Sequence, residues 1–122
     1  MAQVLVVDDS STVRTEVGEF LKKNGLDVSY AVDGRDGLGK VKADSSLKLI
    51  VCDVNMPNMD GLTMAEKVRS ELNNSTVNIV MLTTENSPSM KERGKAAGVK
   101  GWIVKPFNGA AVIGSFKKLV GV

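Results

Sequence analysis

Five short apolar runs recur along the sequence, separated by segments with helical periodicity. The runs are Val4–Val7, Asp27–Val32, Leu47–Cys52, Val77–Leu82 and Gly101–Val104. Most of them are continuous rather than alternating, which is typical of parallel strands that helices cover on both faces. Asp27–Val32 is more mixed and indicates an edge strand. Five repeats of a strand followed by a helix predict an α/β fold with a doubly wound, five-stranded parallel sheet and right-handed crossovers.

The segments between the runs carry helix start and stop signals. Ser87 and Pro88 are predicted to begin the fourth helix, as an N-cap followed by proline, and Gly98 is predicted to end it. Gly37 and Gly39 each cost the second helix roughly 1 kcal/mol relative to alanine. We therefore expect the second helix to be the most mobile of the five.

Composition limits both the size of the protein and its chemistry. A chain of 122 residues that is 43% hydrophobic suffices for one domain with a single core. It has no basic leader and no apolar run near the ~20 residues of a membrane-spanning helix, so we expect a cytoplasmic protein without membrane insertion. A single cysteine, Cys52, agrees with a reducing compartment. The lack of histidine excludes a Ser-His-Asp triad, a histidine-ligated zinc site and an internal phosphohistidine.

Polar side chains follow four of the predicted strands at their carboxyl ends, where open α/β sheets bind ligands. They are Asp8 and Asp9 after the first strand, Asp53 after the third, Thr83 and Thr84 after the fourth, and Lys105 after the fifth. Carboxylates that converge require a cation, and oxygen ligands without His or Cys suit Mg²⁺ or Mn²⁺. We therefore predict a metal site at which Asp53 is a nucleophile for a phosphoryl group. The metal, Lys105 and a hydroxyl would stabilise the transferred charge.

Each of these residues also has a purely structural interpretation. Asp9 and the serines after it could cap the first helix, Asp53 could begin a turn, and Lys105 could be an ordinary solvated lysine. Their shared position at one edge of the predicted sheet favours a functional site.

Four ordered motifs resemble those of response-regulator receiver domains, specifically the stand-alone chemotaxis, CheY-like type. They are Val-Val-Asp-Asp-Ser (6–10), Asp-Val-Asn-Met-Pro-Asn-Met-Asp-Gly (53–61), Met-Leu-Thr-Thr (81–84) and Val-Lys-Pro-Phe (104–107). The resemblance covers essentially the whole chain. It implies the strand order 2-1-3-4-5 that flavodoxin and CheY share. It also implies that residues 1–122 are a single receiver domain with no output domain.

The resemblance assigns roles to the polar residues. Asp53 accepts the phosphoryl group from a phosphohistidine on a CheA-like sensor histidine kinase. Asp9 and Asp53 ligate Mg²⁺ through their side chains, Asn55 through its backbone carbonyl, and Asp8 mainly through water. Lys105 contacts Asp53 and then the phosphoryl oxygens. The protein would be a switch rather than an enzyme, since it catalyses only its own phosphorylation and dephosphorylation.

The resemblance also implies a conformational switch and residues that control how long the phosphoryl group lasts. Thr83 moves toward the phosphoryl group and frees space for an aromatic ring, here Trp102, to swing inward. The family usually has Tyr or Phe there, so Trp102 has a second interpretation as a fixed surface anchor for a partner. Asn55 and Glu85 flank the acceptor, tune the lifetime of the phosphoryl group, and match the short-lived chemotaxis type. The Lys105-Pro106 bond resembles the cis peptide of the family.

Charge is unevenly spread and suggests where a partner binds. Residues 1–85 hold 9 Lys/Arg and 13 Asp/Glu, whereas residues 86–122 hold 7 and 1. We expect a downstream protein to bind the basic C-terminal half, around Lys91, Lys95, Trp102, Lys117 and Lys118. Chemotaxis or motility, through a motor switch, is the expected pathway. A phosphate sink or a non-motility regulator is the alternative, and a phosphatase can act on either. We expect a monomer that binds no nucleic acid.

Three other functions share some of these features. A metal-dependent aspartyl phosphohydrolase carries Asp-x-Asp after its first strand, whereas Asp8 and Asp9 are adjacent here. A nucleotide or flavin binder needs a glycine-rich loop where the sequence has Asp-Asp-Ser-Ser-Thr. An interaction module that is never phosphorylated has no use for the full acidic set.

Overall fold

Strands and helices alternate through the whole computed structural model, which describes residues 2–122. The strands are β1 (Val4–Val7), β2 (Val28–Ala31), β3 (Leu49–Cys52), β4 (Asn78–Thr83) and β5 (Gly101–Val104). The helices are α1 (Ser11–Lys23), α2 (Gly34–Ala43), α3 (Gly61–Ser70), α4 (Pro88–Ala96) and α5 (Gly109–Val120). All neighbouring strands are parallel, in the order β2-β1-β3-β4-β5. The predicted fold and the edge position of the second strand are confirmed.

Two clusters of buried side chains occupy opposite faces of the sheet. Leu5 and Val7 join the cluster covered by α2 and α3, whereas Val4 and Val6 join the cluster covered by α1 and α5. Because successive strand residues point to opposite faces, a sheet covered on both sides needs apolar residues at every position. Cys52 is fully buried in the first cluster, and burial raises the pKa of its thiol. It is therefore a small core side chain.

The fourth helix begins and ends at the predicted residues. The Ser87 hydroxyl accepts a hydrogen bond from the backbone N–H of Met90 at 3.2 Å, and Pro88 is the first helical residue. Gly98 follows the C-cap Ala97 with a φ of 76°, in the left-handed region that favours glycine.

The two glycines of α2 differ in their surroundings. A Cβ atom on Gly37 would lie 2.7 Å from Sδ of Met64 and 3.2 Å from Cγ2 of Val7, so glycine lets α2 pack closely against α3 and the sheet. A Cβ atom on Gly39 would have no atom within 4 Å. The greater mobility expected of α2 stays a prediction.

Gly61, the first residue of α3, fixes the segment that follows β3. A Cβ atom at this position would lie 1.9 Å from the carbonyl oxygen of Asp53. The Gly61 N–H donates to the carbonyl of Val54 at 2.9 Å, and Asp60 caps α3 by accepting from the N–H of Thr63 at 2.8 Å. The chain therefore folds back tightly over Asp53 before the helix begins.

We predict that Gly61→Ala destabilises the protein, because the added methyl group would overlap a backbone oxygen that cannot move independently. A loss of about 1–3 kcal/mol in the free energy of unfolding is expected, as for other overpacked sites. Gly114→Ala, at an open position of α5, should instead raise stability by up to about 1 kcal/mol. Urea denaturation of both variants measures the difference, and equal stabilities would contradict the close approach.

Candidate functional site

The register of the sheet brings two of the predicted carboxylates together. Val7 lies opposite Cys52 in the pairing of β1 with β3. The next residue of each strand is an aspartate, Asp8 or Asp53, and the N–H of Asp53 donates to the carbonyl of Val7 at 3.0 Å. Both aspartates are buried, with 2% and 7% of their surface exposed. The apolar runs therefore end on two acids that water scarcely reaches.

A third carboxylate completes an acidic cluster. Asp8, Asp9 and Asp53 each offer an oxygen, and these oxygens all lie within 4.8 Å of one another. Asp9 is exposed, and within residues 2–122 its side chain has no hydrogen-bond or ion-pair partner. The cluster is thus closed on the protein side and open to solvent at Asp9.

Lys105 supplies the charge that meets the buried acids. Its Nζ lies 3.1 Å from Oδ2 of Asp8 and 3.1 Å from Oδ2 of Asp53. Its backbone N–H donates to the carbonyl of Thr83 at 2.9 Å, which sets the lysine just beyond β4 and β5. The Lys105-Pro106 peptide bond is cis, as the resemblance implied.

The protonation states of Asp8 and Lys105 follow from burial and hydrogen bonding together. Burial is the largest influence on the pKa of Asp8 and raises it, although hydrogen bonds from Ser10 and Lys105 oppose this. Burial opposes the charge of Lys105, but its bonds to Asp8 and Asp53 outweigh burial and raise the pKa of Lys105. The ammonium group therefore stays charged between the two carboxylates at neutral pH.

Backbone groups and one arginine hold the acids in place. Oδ1 of Asp53 accepts from the N–H of Val54 at 2.7 Å, and Oδ1 of Asp8 accepts from the N–H of Ser10 at 2.9 Å. Arg14 was missed by the sequence analysis, and its Nη1 donates to the carbonyl of Asp8 at 2.7 Å. Its position in α1 carries no signal of this contact, because the contact depends on how the turn after β1 is folded.

The donor set fits a hard divalent cation. Three carboxylates and one ammonium leave the cluster with a net charge of −2. Oxygen atoms alone, without His or Cys, are the ligands that Mg²⁺ prefers, and the solvent-facing side leaves room for water or phosphate oxygens. The backbone carbonyl of Asn55 stays a predicted ligand. The side chain of Asn55 is hydrogen-bonded to Glu85 instead.

Glu85 connects three of the predicted residues. Its carboxylate accepts from Nδ2 of Asn55 at 2.7 Å, and its N–H donates to Oγ1 of Thr83 at 3.2 Å. Its carbonyl accepts from Nε1 of Trp102 at 2.8 Å. The sequence analysis gave Glu85 only a timing role, because nothing in the sequence indicates where a loop carbonyl points.

Trp102 lies on β5 beside α4 in this structure. The indole is half-buried and packs against the core cluster on the α2 and α3 face. A Cβ atom on Gly94 of α4 would lie 3.2 Å from the ring, so this glycine makes room for it. Thr83 is fully buried at the end of β4. Glu85 links the Thr83 hydroxyl to the indole through its N–H and its carbonyl.

The basic C-terminal half forms less of a single surface than the sequence suggests. Lys91, Lys95 and Lys118 are exposed, and Lys117 is half-buried. A cleft of about 250 Å³ between β5 and α5 is lined by Trp102, Lys100, Ile103, Val112 and Leu119, among others. Neither Lys117 nor Lys118 lines this cleft, whereas Lys100, which was not predicted, does.

Residues 4–117 match the family model described as "Response regulator receiver domain". The chain belongs to the response-regulator receiver family. Chemotaxis protein CheY1 of Helicobacter pylori is 40% identical over 106 residues, which cover 86% of each chain. Protein PilG of Pseudomonas aeruginosa is 32% identical over 115 residues, covering 94% of this chain and 84% of that protein. Family membership supports the receiver interpretation over the phosphohydrolase and nucleotide-binding alternatives.

Solved structures give the same result for the fold. The chemotaxis protein CheY4 of Vibrio cholerae superimposes with a TM-score of 0.87, at 41% identity and 98% coverage of both chains. The protein is thus a response regulator of the two-component, CheY-like chemotaxis type. Within residues 2–122, none of the helices combines the length and apolar character needed to cross a membrane.

We predict that Mg²⁺ stabilises the folded protein through the acidic cluster. At about tenfold its dissociation constant, the ion should raise the free energy of unfolding by about 1.4 kcal/mol. Asp9→Asn should lose most of this gain, since it removes the solvent-facing ligand of the cluster. Asp27→Asn is the matched control, because Asp27 precedes β2 at the opposite end of the sheet. Chemical denaturation with and without MgCl₂ is the measurement, and an equal gain in Asp9→Asn would contradict the assignment.

Proposed function

We propose that this response regulator is a Mg²⁺-dependent phosphoryl acceptor and that Asp53 takes the phosphoryl group from a phosphohistidine of a sensor histidine kinase. The observation that carries the proposal is the position of Lys105 Nζ, 3.1 Å from both Asp53 and Asp8, beside the open oxygen of Asp9. Such a site places a nucleophile beside a fixed cation and leaves a solvent-facing side that phosphate oxygens can occupy.

The transfer exchanges one bond to phosphorus for another. A carboxylate oxygen of Asp53 forms the new bond to phosphorus while the bond to the kinase histidine nitrogen breaks. The other ring nitrogen of the phosphohistidine carries a proton, so the electron pair of the broken bond stays on the first nitrogen and the imidazole leaves as the neutral base. Asp9 and Asp53, with the carbonyl of Asn55 and a water on Asp8, would hold Mg²⁺, which would supply positive charge to the phosphoryl oxygens. Lys105, whose Nζ lies 3.1 Å from Oδ2 of Asp53, would supply a second positive charge.

The same site sets how long the phosphoryl group lasts. Hydrolysis of the acyl phosphate requires a water molecule in line with the bond to Asp53. The hydrogen bond between Asn55 and Glu85 spans the loops after β3 and β4, where such a water approaches. Both side chains would therefore control the access and orientation of that water, and no turnover of an external substrate is proposed.

The switch would run from Thr83 to Trp102 through Glu85. A phosphoryl group on Asp53 would attract the Thr83 hydroxyl as a hydrogen-bond donor, and the Glu85 N–H that donates to Thr83 would follow. The carbonyl of Glu85 would then favour the inward position of Trp102. One hydrogen bond worth about 1 kcal/mol changes the ratio of the two Trp102 positions only about fivefold. The bond from Glu85 to Thr83 and the bond from Trp102 to Glu85 must therefore both contribute.

The signal would leave through the surface beside Trp102. The cleft between β5 and α5 offers apolar walls and Lys100, and the exposed Lys91 and Lys95 lie on α4 nearby in sequence. A protein of the chemotaxis or motility apparatus is the proposed target. The 40% identity to a chemotaxis protein supports this pathway over the phosphate-sink alternative.

We predict that a small phosphodonor with Mg²⁺ adds one phosphoryl group to the protein, at Asp53. Asp53→Asn should not be labelled, because its amide is a poor nucleophile. Asp60→Asn is the matched control, since asparagine also caps helices and Asp60 lies outside the acidic cluster. Intact-protein mass spectrometry measures the added mass, and equal labelling of Asp53→Asn and the unsubstituted protein would refute Asp53 as acceptor.

A second prediction concerns Trp102, the only tryptophan and therefore a specific fluorescent reporter. Beryllofluoride with Mg²⁺ should reduce acrylamide quenching of Trp102, because the inward position becomes more populated. Thr83→Ala should weaken this response while metal affinity is retained. Thr84→Ala, at the exposed neighbouring position, should behave like the unsubstituted protein. If quenching is unchanged by beryllofluoride, Trp102 is a fixed surface anchor instead.

A further inference from the structure

A second cleft, of about 440 Å³, lies between α2 and α3 and contains none of the residues assigned to phosphorylation or switching. Leu38 and Met59, with Leu72, form its apolar floor, and all three side chains are half-buried against the core. Because the floor is part of the core packing, the cleft is a built feature of the fold. It is also concave, which favours a ligand that inserts apolar groups.

Gly39 keeps one wall of this cleft open. Glycine within a helix costs roughly 1 kcal/mol relative to alanine. Gly37 has a packing reason, since its hydrogen atom faces Met64 and Val7 at short distance. Gly39 has none, because a Cβ atom there would meet nothing within 4 Å. Gly39 lines the cleft, and the lack of a side chain there leaves this wall open.

The rim of the cleft carries two cations that form no ion pair within the part of the chain that the structure describes. Arg35 and Lys42 are exposed and form no ion pair or side-chain hydrogen bond within residues 2–122. They are two helical turns apart, about 10 Å along α2, on the same face as Leu38 and Gly39. Across the cleft, Lys67 is paired with Glu71 at 3.2 Å. The free charge of the rim is therefore positive and lies along α2.

We propose that the cleft between α2 and α3 binds an acidic amphipathic helix of a partner protein. The apolar side of that helix would lie on Leu38, Met59 and Leu72. Its carboxylates, two turns apart, would pair with Arg35 and Lys42. A helix in a groove is recognised through anchors at this spacing. The concave apolar floor favours a helix over a flat anionic membrane, and two cations are too few for a nucleic acid backbone.

The test uses a synthetic helical peptide of 15 residues with leucines at i, i+3, i+4 and i+7 and glutamates beside them. Titration into the ¹⁵N-labelled full chain should shift backbone amide signals of α2 and α3. The paired substitution Arg35→Glu with Lys42→Glu should weaken binding at least about tenfold, since both attractions become repulsions. Gly39→Met should weaken it similarly by filling the cleft, without loss of thermal stability.

Matched controls separate this cleft from the rest of the surface. Gly114→Met places the same side chain at an open glycine of α5, and Lys117→Glu with Lys118→Glu reverses two cations elsewhere. Both should change the affinity less than about twofold. Asp53→Asn should also leave binding unchanged, so this result is independent of phosphorylation.

Several outcomes would overturn the proposal. These are no binding at millimolar peptide, equal binding of a peptide with lysine in place of glutamate, or shifts confined to the cleft between β5 and α5. Binding of phosphatidylglycerol vesicles that Gly39→Met abolishes, without peptide binding, would assign the cleft to a membrane. Self-association in sedimentation that Gly39→Met abolishes would assign it to a second copy of the chain.

Discussion

The Lys105 ammonium between Asp8 and Asp53 is the contact on which the site depends. Two charged carboxylates that are almost fully buried would repel each other without a cation between them. A lysine equidistant from both, at 3.1 Å, offsets this repulsion at the ends of apolar strands. Removing one partner of a buried ion pair typically costs about 3–5 kcal/mol, so these three residues are strongly interdependent. The sheet register that aligns them is therefore inseparable from their chemistry.

One lysine neutralises only part of the negative charge of the cluster. The charge that remains gives the site its affinity for a further cation. The remaining charge of −2 favours a divalent cation, and the exposed Asp9 directs it to the solvent side. A phosphoryl group on Asp53 would then draw Lys105 toward new oxygens and away from Asp8. The resting contacts thus already contain the positive charge that a modified Asp53 requires.

The sequence predicts the groups that follow strands better than the contacts that depend on loops. Asp8, Asp53 and Lys105 could be placed together because each comes directly after a strand of one parallel sheet. The bond from Trp102 to the carbonyl of Glu85 could not, because a loop peptide has no periodicity that fixes its direction. From the sequence, Gly37 and Gly39 are alike as two glycines that weaken a helix, and only the structure separates the packed Gly37 from the open Gly39.

Helix α4 lies beside Trp102 and buries few of its residues. Gly94 is its only buried residue and lies against Trp102. Arg93 also donates to Glu66 of α3 at 2.7 Å, and this pair is exposed. Exposed ion pairs contribute at most about 1 kcal/mol, so α4 is held mainly by the packing of Gly94 and Met90 against their neighbours. In the proposed switch, a shift of Trp102 driven by one or two hydrogen bonds would displace α4 more easily than helices that bury several side chains.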